Sequence, residues 1–186
     1  MMAKRISNIL QDQRGGVHIL VFSLLAIISL TFIWMMALNF MLQSSSMNKS
    51  KLALDQATHA AAMEINRQQA ARGVLVWNST QGRDHFYRYL RLNMKLDSLN
   101  KPLPESFLNH DPIVHVLEGV TAASYPSQIS RSITLYAGTR DQITRNVTVT
   151  IYGPSVLAIV EVRQGLMGKR RTEPILISSV SSIRFR

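Results

Sequence analysis

The sequence predicts an α+β protein in which a long N-terminal transmembrane helix continues into an outer domain with a second short helix and an antiparallel β-sheet. Two patterns lead to this prediction. Residues 17–42 contain no Asp, Glu, Lys or Arg and are predominantly apolar, and about 20 apolar residues are enough for a helix to cross the hydrocarbon core of a bilayer. From residue 113 onward, apolar and polar residues alternate, which is the period of a β-strand.

These patterns predict four parts: a cytoplasmic tail at 1–16, the transmembrane helix at 17–42, an outer continuation of that helix at 43–72, and an outer α+β domain at 73–186. The orientation follows from the tail. Lys4, Arg5 and Arg14 outnumber Asp12 there, and Lys and Arg near the end of a span favour the cytoplasmic side. We therefore expect a single-pass membrane protein with a cytoplasmic N-terminus and an extracytoplasmic C-terminal domain.

The segment after the apolar stretch keeps the features of a helix. Residues 47–72 contain neither proline nor glycine and are rich in good helix formers, so the helix is predicted to stop at Gly73. Leu54, Ala57, Ala61 and Ile65 recur at spacings of three and four, which places them on one face. Alanines on a face let another backbone come close. Three interpretations stay open: this face packs on the chain's own sheet, it docks with a second copy or another partner, or it does both.

The outer domain is predicted to contain one helix followed by five strands. The helix is expected at 84–96, and the strands at 113–117, 132–137, 143–152, 155–163 and 175–186. Gly153-Pro154 lies between two β-branched runs, which predicts a hairpin that pairs the third strand with the fourth. We expect one meander-like sheet with the helix on one face.

Charge and cysteine content restrict the classes of partner. The net charge is +10, which favours solubility and attraction to an anionic cell wall or membrane surface. Binding to nucleic acid would require a recognisable motif or basic residues interleaved with aromatic ones, and the sequence shows neither, so no nucleic-acid partner is expected. The chain has no cysteine, which excludes disulfides and thiolate chemistry.

No pattern predicts an enzyme, a cofactor or a metal ion. The five histidines do not have the spacing of zinc ligands, and the sequence has no phosphate-binding glycine loop, dinucleotide fingerprint or nucleophile elbow. The closest cluster, His110-Asp111 followed by His115, is interpreted as a solvated loop at the start of a strand. The basic run at 169–171 is interpreted as a solvated turn.

Two stretches carry a resemblance to a known family. One is Arg-Gly-Gly-Val-His-Ile-Leu-Val-Phe-Ser-Leu-Leu at 14–25, and the other is Leu-Ala-Leu-Asp-Gln-Ala-Thr-His-Ala-Ala-Ala at 52–62. Together they resemble the N-terminal region of TadE/TadG-like pilin-type proteins, over about residues 12–66. The resemblance implies a pilin-like fold and a minor pilin or pseudopilin of a tight-adherence (Flp) type IV-like pilus or a related secretion apparatus. It also implies, as partners, other pilin-like subunits and a pilus assembly platform, in a homo- or hetero-oligomer.

One departure from that family concerns the processing site. The resemblance implies cleavage by a prepilin peptidase at Gly15 or Gly16, with a glutamate five residues later. Leu20 or Val21 stands there instead, so the resemblance favours a subunit that stays anchored, or a tip or initiating subunit, over one that polymerises.

The expected function is therefore that of a pilin-like structural subunit that assembles through its long N-terminal helix. The alternative is a stand-alone anchored surface protein whose basic domain binds cell-wall polymer or another exported protein. An anchored enzyme is the third and least favoured class.

Overall fold

The computed structural model describes residues 14–164 and 173–184. They form three helices, α1 (Arg14–Ala62), α2 (Arg67–Ala70) and α3 (Ser79–Met94), and five strands, β1 (Ile113–Val120), β2 (Ser127–Leu135), β3 (Ile143–Ile151), β4 (Ser155–Gln164) and β5 (Glu173–Ser182). The chain divides into two compact units between Leu42 and Gln43, within α1. The predicted α+β class, with one long apolar N-terminal helix and antiparallel strands, is confirmed.

Helix α1 ends at Ala62, and the prediction that it continues to Arg72 is wrong. Ile65 pairs with Trp77 in an isolated antiparallel bridge, and this pairing extends on both sides. The N–H of Asn66 donates to the carbonyl of Val76, and the N–H of Asn78 donates to the carbonyl of Glu64, both at 2.9 Å. The backbone groups after Ala62 thus form hydrogen bonds with Val76 and Asn78 instead of continuing the helix.

The indole of Trp77 closes the end of α1. Its Nε1 donates a hydrogen bond of 2.8 Å to the carbonyl of Ala61. This carbonyl is one of the last four of the helix, which accept no hydrogen bond from within the helix. Beyond this point Asn66 caps the short helix α2 by accepting from the amides of Gln68 and Gln69. The helix end is therefore fixed by tertiary contacts, although no proline or glycine marks it.

Helix α3 is the predicted second helix, and it begins at Ser79 rather than at residue 84. The side chain of Asn78 accepts a hydrogen bond from the amide of Gln81 and caps the first turn. One face is buried and carries, at spacings of four, Gly82, Phe86, Leu90 and Met94. The helix ends where Lys95 adopts a left-handed conformation (φ 53°).

The strands form two antiparallel sheets and not one meander. A three-stranded sheet has the order β1-β4-β5, and β2 pairs with β3 in a separate two-stranded sheet. The predicted hairpin across Gly153-Pro154 is therefore wrong, because β3 pairs with β2 while β4 pairs with β1 and β5. The turn at Gly153-Pro154 leads the chain from one sheet into the other.

Strand β4 explains this arrangement, because its residues 155–162 are all buried. One face carries Val156, Ala158, Val160 and Val162, which pack in a core cluster with α1 and α3 residues. The opposite face carries Leu157 and Ile159, which pack in a second cluster with residues of the β2–β3 hairpin. A central strand that is apolar on both faces needs a layer on each side, so the hairpin covers β4 instead of extending its sheet.

Candidate functional site

The first part of α1 is apolar and exposed along its whole described length. Every side chain from His18 to Leu38 is exposed, including Phe22 and Met36, whose relative exposures are 71% and 73%. Among the described residues, α1 is the one helix that is long and apolar enough to cross a membrane. Its most apolar window has no part buried inside the protein, unlike the core helix of a soluble protein.

The last part of α1 has the opposite environment. Leu54, Ala57 and Ala61, three of the four residues expected on a docking face, are 0% exposed. They lie in the core cluster that includes residues of α3 and the inner face of β4. The fourth, Ile65, lies outside the helix, in the bridge to Trp77. The structure therefore shows that this face packs on the chain's own sheet, which is one of the interpretations that the sequence left open.

A polar row on α1 joins the helix to β5. The ammonium group of Lys51 donates to Asp55 Oδ1 at 2.6 Å and to the carbonyl of Ser178 at 2.7 Å. The hydroxyl of Ser179 donates to the same oxygen of Asp55 at 2.6 Å. The two hydrogen bonds to Ser178 and Ser179 fix the register of the helix over this strand, because each has a defined length and direction.

Among the side chains that the structure describes, the most deeply buried ionisable group is the carboxyl group of Glu161. It is 2% exposed, and it accepts from Nε2 of His115 at 2.9 Å and from Nε of Arg163 at 2.7 Å. The guanidinium of Arg163 also lies 5.3 Å from the centre of the Tyr136 ring. A buried carboxylate requires such partners, because burial without them is costly.

A β-bulge brings His115 to this carboxylate. The pairing of β1 with β4 shifts between Val114 and Val116, so His115 is an extra residue on the bulged strand. The sequence placed His115 with His110 and Asp111 in a solvated loop, but the structure separates them. His110 and Asp111 are exposed, whereas His115 lies within β1. Sequence reasoning missed Glu161, although it occupies a position with the same parity as Leu157 and Ile159.

The remaining predicted site residues are placed as follows. Gly15 and Gly16 lie in the first turns of α1, and a side chain added at Gly16 would meet nothing within 4 Å. The basic run at 169–171 and most of the predicted tail lie outside the described residues. Within residues 14–164 and 173–184, no three His, Asp or Glu side chains converge in a way that could hold a metal ion.

Comparison with known proteins adds no relative to this description. No family model matches the chain, and the searches of curated proteins and of solved structures found no match either.

Proposed function

We propose that this protein is a single-pass membrane-anchored, pilin-like structural subunit, a minor pilin or pseudopilin that assembles with similar subunits through the apolar part of α1. In this proposal residues 17–42 span the membrane, the N-terminus is cytoplasmic, and the α+β domain is extracytoplasmic. The observation that carries the proposal is the exposed apolar surface of α1 between His18 and Leu38. A soluble protein seldom exposes a continuous apolar patch of more than a few hundred Å².

The surface that mediates assembly differs from the one that the sequence pattern suggested. Leu54, Ala57 and Ala61 are fully buried in the chain's own core, so a second subunit cannot reach them without unfolding the outer domain. The apolar part of α1 remains, and it carries small side chains at Ser23 and Ala26. Small residues let membrane helices approach closely, so we assign helix–helix contacts to this part.

Cysteine cross-linking in native membranes tests this assignment, because the chain has no cysteine of its own. Single cysteines introduced one at a time from residue 20 to residue 38 are oxidised in the membrane. The proposal predicts intermolecular disulfides that recur with the period of a helix, to a second copy or to a co-expressed pilin-like protein carrying its own cysteine. The Ala57→Cys variant is the matched control and should give no cross-link. Uniform absence of cross-links along the helix would contradict assembly through this part.

The stand-alone surface protein is the second candidate, and the burial of Leu54, Ala57 and Ala61 favours it because no docking role remains for these residues. Its basic domain would bind an anionic wall polymer, and such binding weakens as ionic strength rises. A sedimentation assay with purified cell walls at low and high salt separates the two candidates. Salt-sensitive binding by monomers that form no cross-links would favour the second.

A further inference from the structure

The outer edge of β1 is open. β1 is an edge strand of the three-stranded sheet, and no other strand in the described part of the chain pairs with its outer side. At the opposite edge of the sheet, the carbonyl of Ser178 in β5 accepts a hydrogen bond from Lys51 of α1. An edge strand presents unpaired N–H and C=O groups to which an extended chain can pair.

A groove follows this edge. Residues 114–118 of β1 form its floor, Arg83 and Tyr87 of α3 form one wall, and Arg131 of β2 contributes to the other. The cavity volume is about 320 Å³. The groove therefore lies between a helix and the β2–β3 hairpin, with the strand edge between them.

The side chain of Arg83 occupies part of the position of a missing strand. Its Nη2 donates a hydrogen bond of 3.1 Å to the carbonyl of Leu117. This carbonyl points away from β4, and in an antiparallel strand the N–H and C=O of one residue point to the same side. Leu117 thus presents its backbone groups toward the groove. Side chains that cover an edge in this way are a common protection against unwanted pairing.

The charge of the groove is positive. Arg83 and Arg131 contribute two guanidinium groups, and Glu118 is the one carboxylate among the lining residues. Arg131 is paired with Glu118, with Nε and Nη2 each 2.8 Å from Oε1. Arg83 by contrast donates to a neutral carbonyl, so its charge is available to an incoming anion. An acidic side chain on a bound peptide would complement it.

We propose that the open edge of β1 binds an extended acidic segment of another protein, which adds to the sheet as a fourth strand by β-augmentation. The segment displaces Arg83 from the carbonyl of Leu117 and pairs its own backbone there, while Arg83 turns to a carboxylate of the segment. A different protein fits better than a second copy, because this chain has 21 basic and only 11 acidic residues. The proposal does not depend on whether α1 spans a membrane.

Peptide binding to the full-length protein in detergent micelles tests the proposal. The probe is a fluorescent decapeptide of alternating Val and Glu, and the comparison peptides carry Lys for each Glu or Pro at two central positions. We expect fluorescence anisotropy to detect binding of the Glu peptide only, because Lys repels Arg83 and Pro removes backbone donors. No binding of the Glu peptide up to about 1 mM, or equal binding of all three peptides, would overturn the proposal.

Substitutions in α3 test whether the Glu peptide binds in the groove beside β1. Arg83→Glu should weaken binding of the Glu peptide at least about tenfold and favour the Lys peptide, as expected from reversal of a charge at the contact. Arg88→Glu is the matched control, since Arg88 is exposed on the same helix and does not line the groove, and its effect should be within about twofold. Arg83→Gln, which keeps a hydrogen-bond donor, should give an intermediate affinity even if the reversed variant folds poorly.

Amide hydrogen exchange gives an independent readout. In the free protein the Leu117 amide should exchange faster than the neighbouring Val116 amide, and the Glu peptide should slow exchange at Leu117 while leaving Val116 unchanged. Protection at a different strand, or an equal loss of affinity in the Arg88→Glu variant, would show that the peptide binds elsewhere and would overturn the assignment to β1.

Discussion

The two parts of α1 differ in the size of their apolar side chains as well as in their polarity. Between His18 and Leu38 the helix carries many large apolar residues, and all described side chains are exposed. Between Ala53 and Ala62 it carries alanines, and Ala53, Ala57, Ala61 and Ala62 are at most 4% exposed. Large side chains suit a fluid surrounding that needs no fixed fit, whereas small ones let the helix lie close against a sheet and a second helix. The size pattern therefore indicates which part of α1 packs in the core of the outer domain.

The largest expected effect comes from placing charge in the first part. The double substitution Ile28→Arg with Phe32→Arg should release the protein from the membrane fraction, because each arginine at the centre of a span costs about 2.5–3.5 kcal/mol. Alkaline extraction of membranes followed by immunoblotting measures the effect. The control is Leu52→Arg, which changes a leucine of 60% exposure in the second part and should leave the protein in membranes. Retention of the double variant in the membrane fraction after extraction would contradict a membrane location of the first part of α1.

Substitution of one alanine in each part of α1 compares how tightly the two parts are packed. Ala57→Leu should lower the free energy of unfolding of the outer domain by about 1–3 kcal/mol, because added methylenes do not fit a packed core. Ala37→Leu, at an exposed position, should leave that free energy unchanged within about 0.5 kcal/mol. Chemical denaturation of the full-length protein in micelles, followed by circular dichroism, compares the two. Equal stability of the two variants would show that Ala57 is not enclosed.

A substitution at Gly82 tests the hydrogen bond between Trp77 and Ala61 that closes the end of α1. A Cβ atom at this position would lie 2.2 Å from Nε1 of Trp77, so Gly82→Ala must move the indole away from the carbonyl of Ala61. Loss of that hydrogen bond should cost about 1–3 kcal/mol. The gain in helix propensity, about 1 kcal/mol, offsets only part of this cost.

Tryptophan fluorescence reads this change directly. The chain has two tryptophans, so in a Trp34→Phe background the emission reports Trp77 alone and should shift to longer wavelength in the Gly82→Ala variant. Gly153→Ala is the control, because a Cβ there meets nothing within 4 Å. If Gly82→Ala stabilised the protein, as expected of an ordinary exposed helical glycine, the role of Trp77 would be refuted.

The smallest effect is expected at the polar row between α1 and β5. Lys51→Ala should cost less than about 1 kcal/mol, because the side chains of Lys51 and Asp55 are 47% and 45% exposed and exposed ion pairs contribute little. Asp55→Ala should cost more, since this carboxylate also accepts from the hydroxyl of Ser179. The denaturation midpoints of the two variants measure which substitution lowers the stability of the outer domain more. The reverse order would show that Lys51 stabilises the helix mainly through Ser178.

Local patterns predicted the elements of the fold well and their ends and partners poorly. The strands beginning at Ile113 and Ile143 were predicted because alternation of β-branched residues is a local signal. The end of α1 at Ala62 was missed, since it depends on the pairing of Ile65 with Trp77. The Gly153-Pro154 turn suggested a hairpin, but β4 is apolar on both faces and needs a layer on each side. The turn alone does not show which strands pair with β4 and which cover it.

The buried carboxylate shows what sequence reasoning could have found. Glu161 stands at a position of the same parity as Leu157 and Ile159, so a charge on an apolar face was visible in the sequence. Its partner His115 was not predictable, because a bulge in β1 places it there. No sequence signal marked the groove beside β1 either, since Arg83 and Arg131 come together only through the packing of α3 and the hairpin around one strand.

The central claim is that the two parts of α1 lie in different surroundings, and a matched pair of cysteines tests it most directly. Leu30 and Leu52 are similarly exposed on the isolated chain, at 57% and 60%. In intact cells a membrane-impermeant maleimide should label the Leu52→Cys variant and not the Leu30→Cys variant, and both should react after solubilisation in detergent. Equal labelling of the two variants in intact cells would contradict the account.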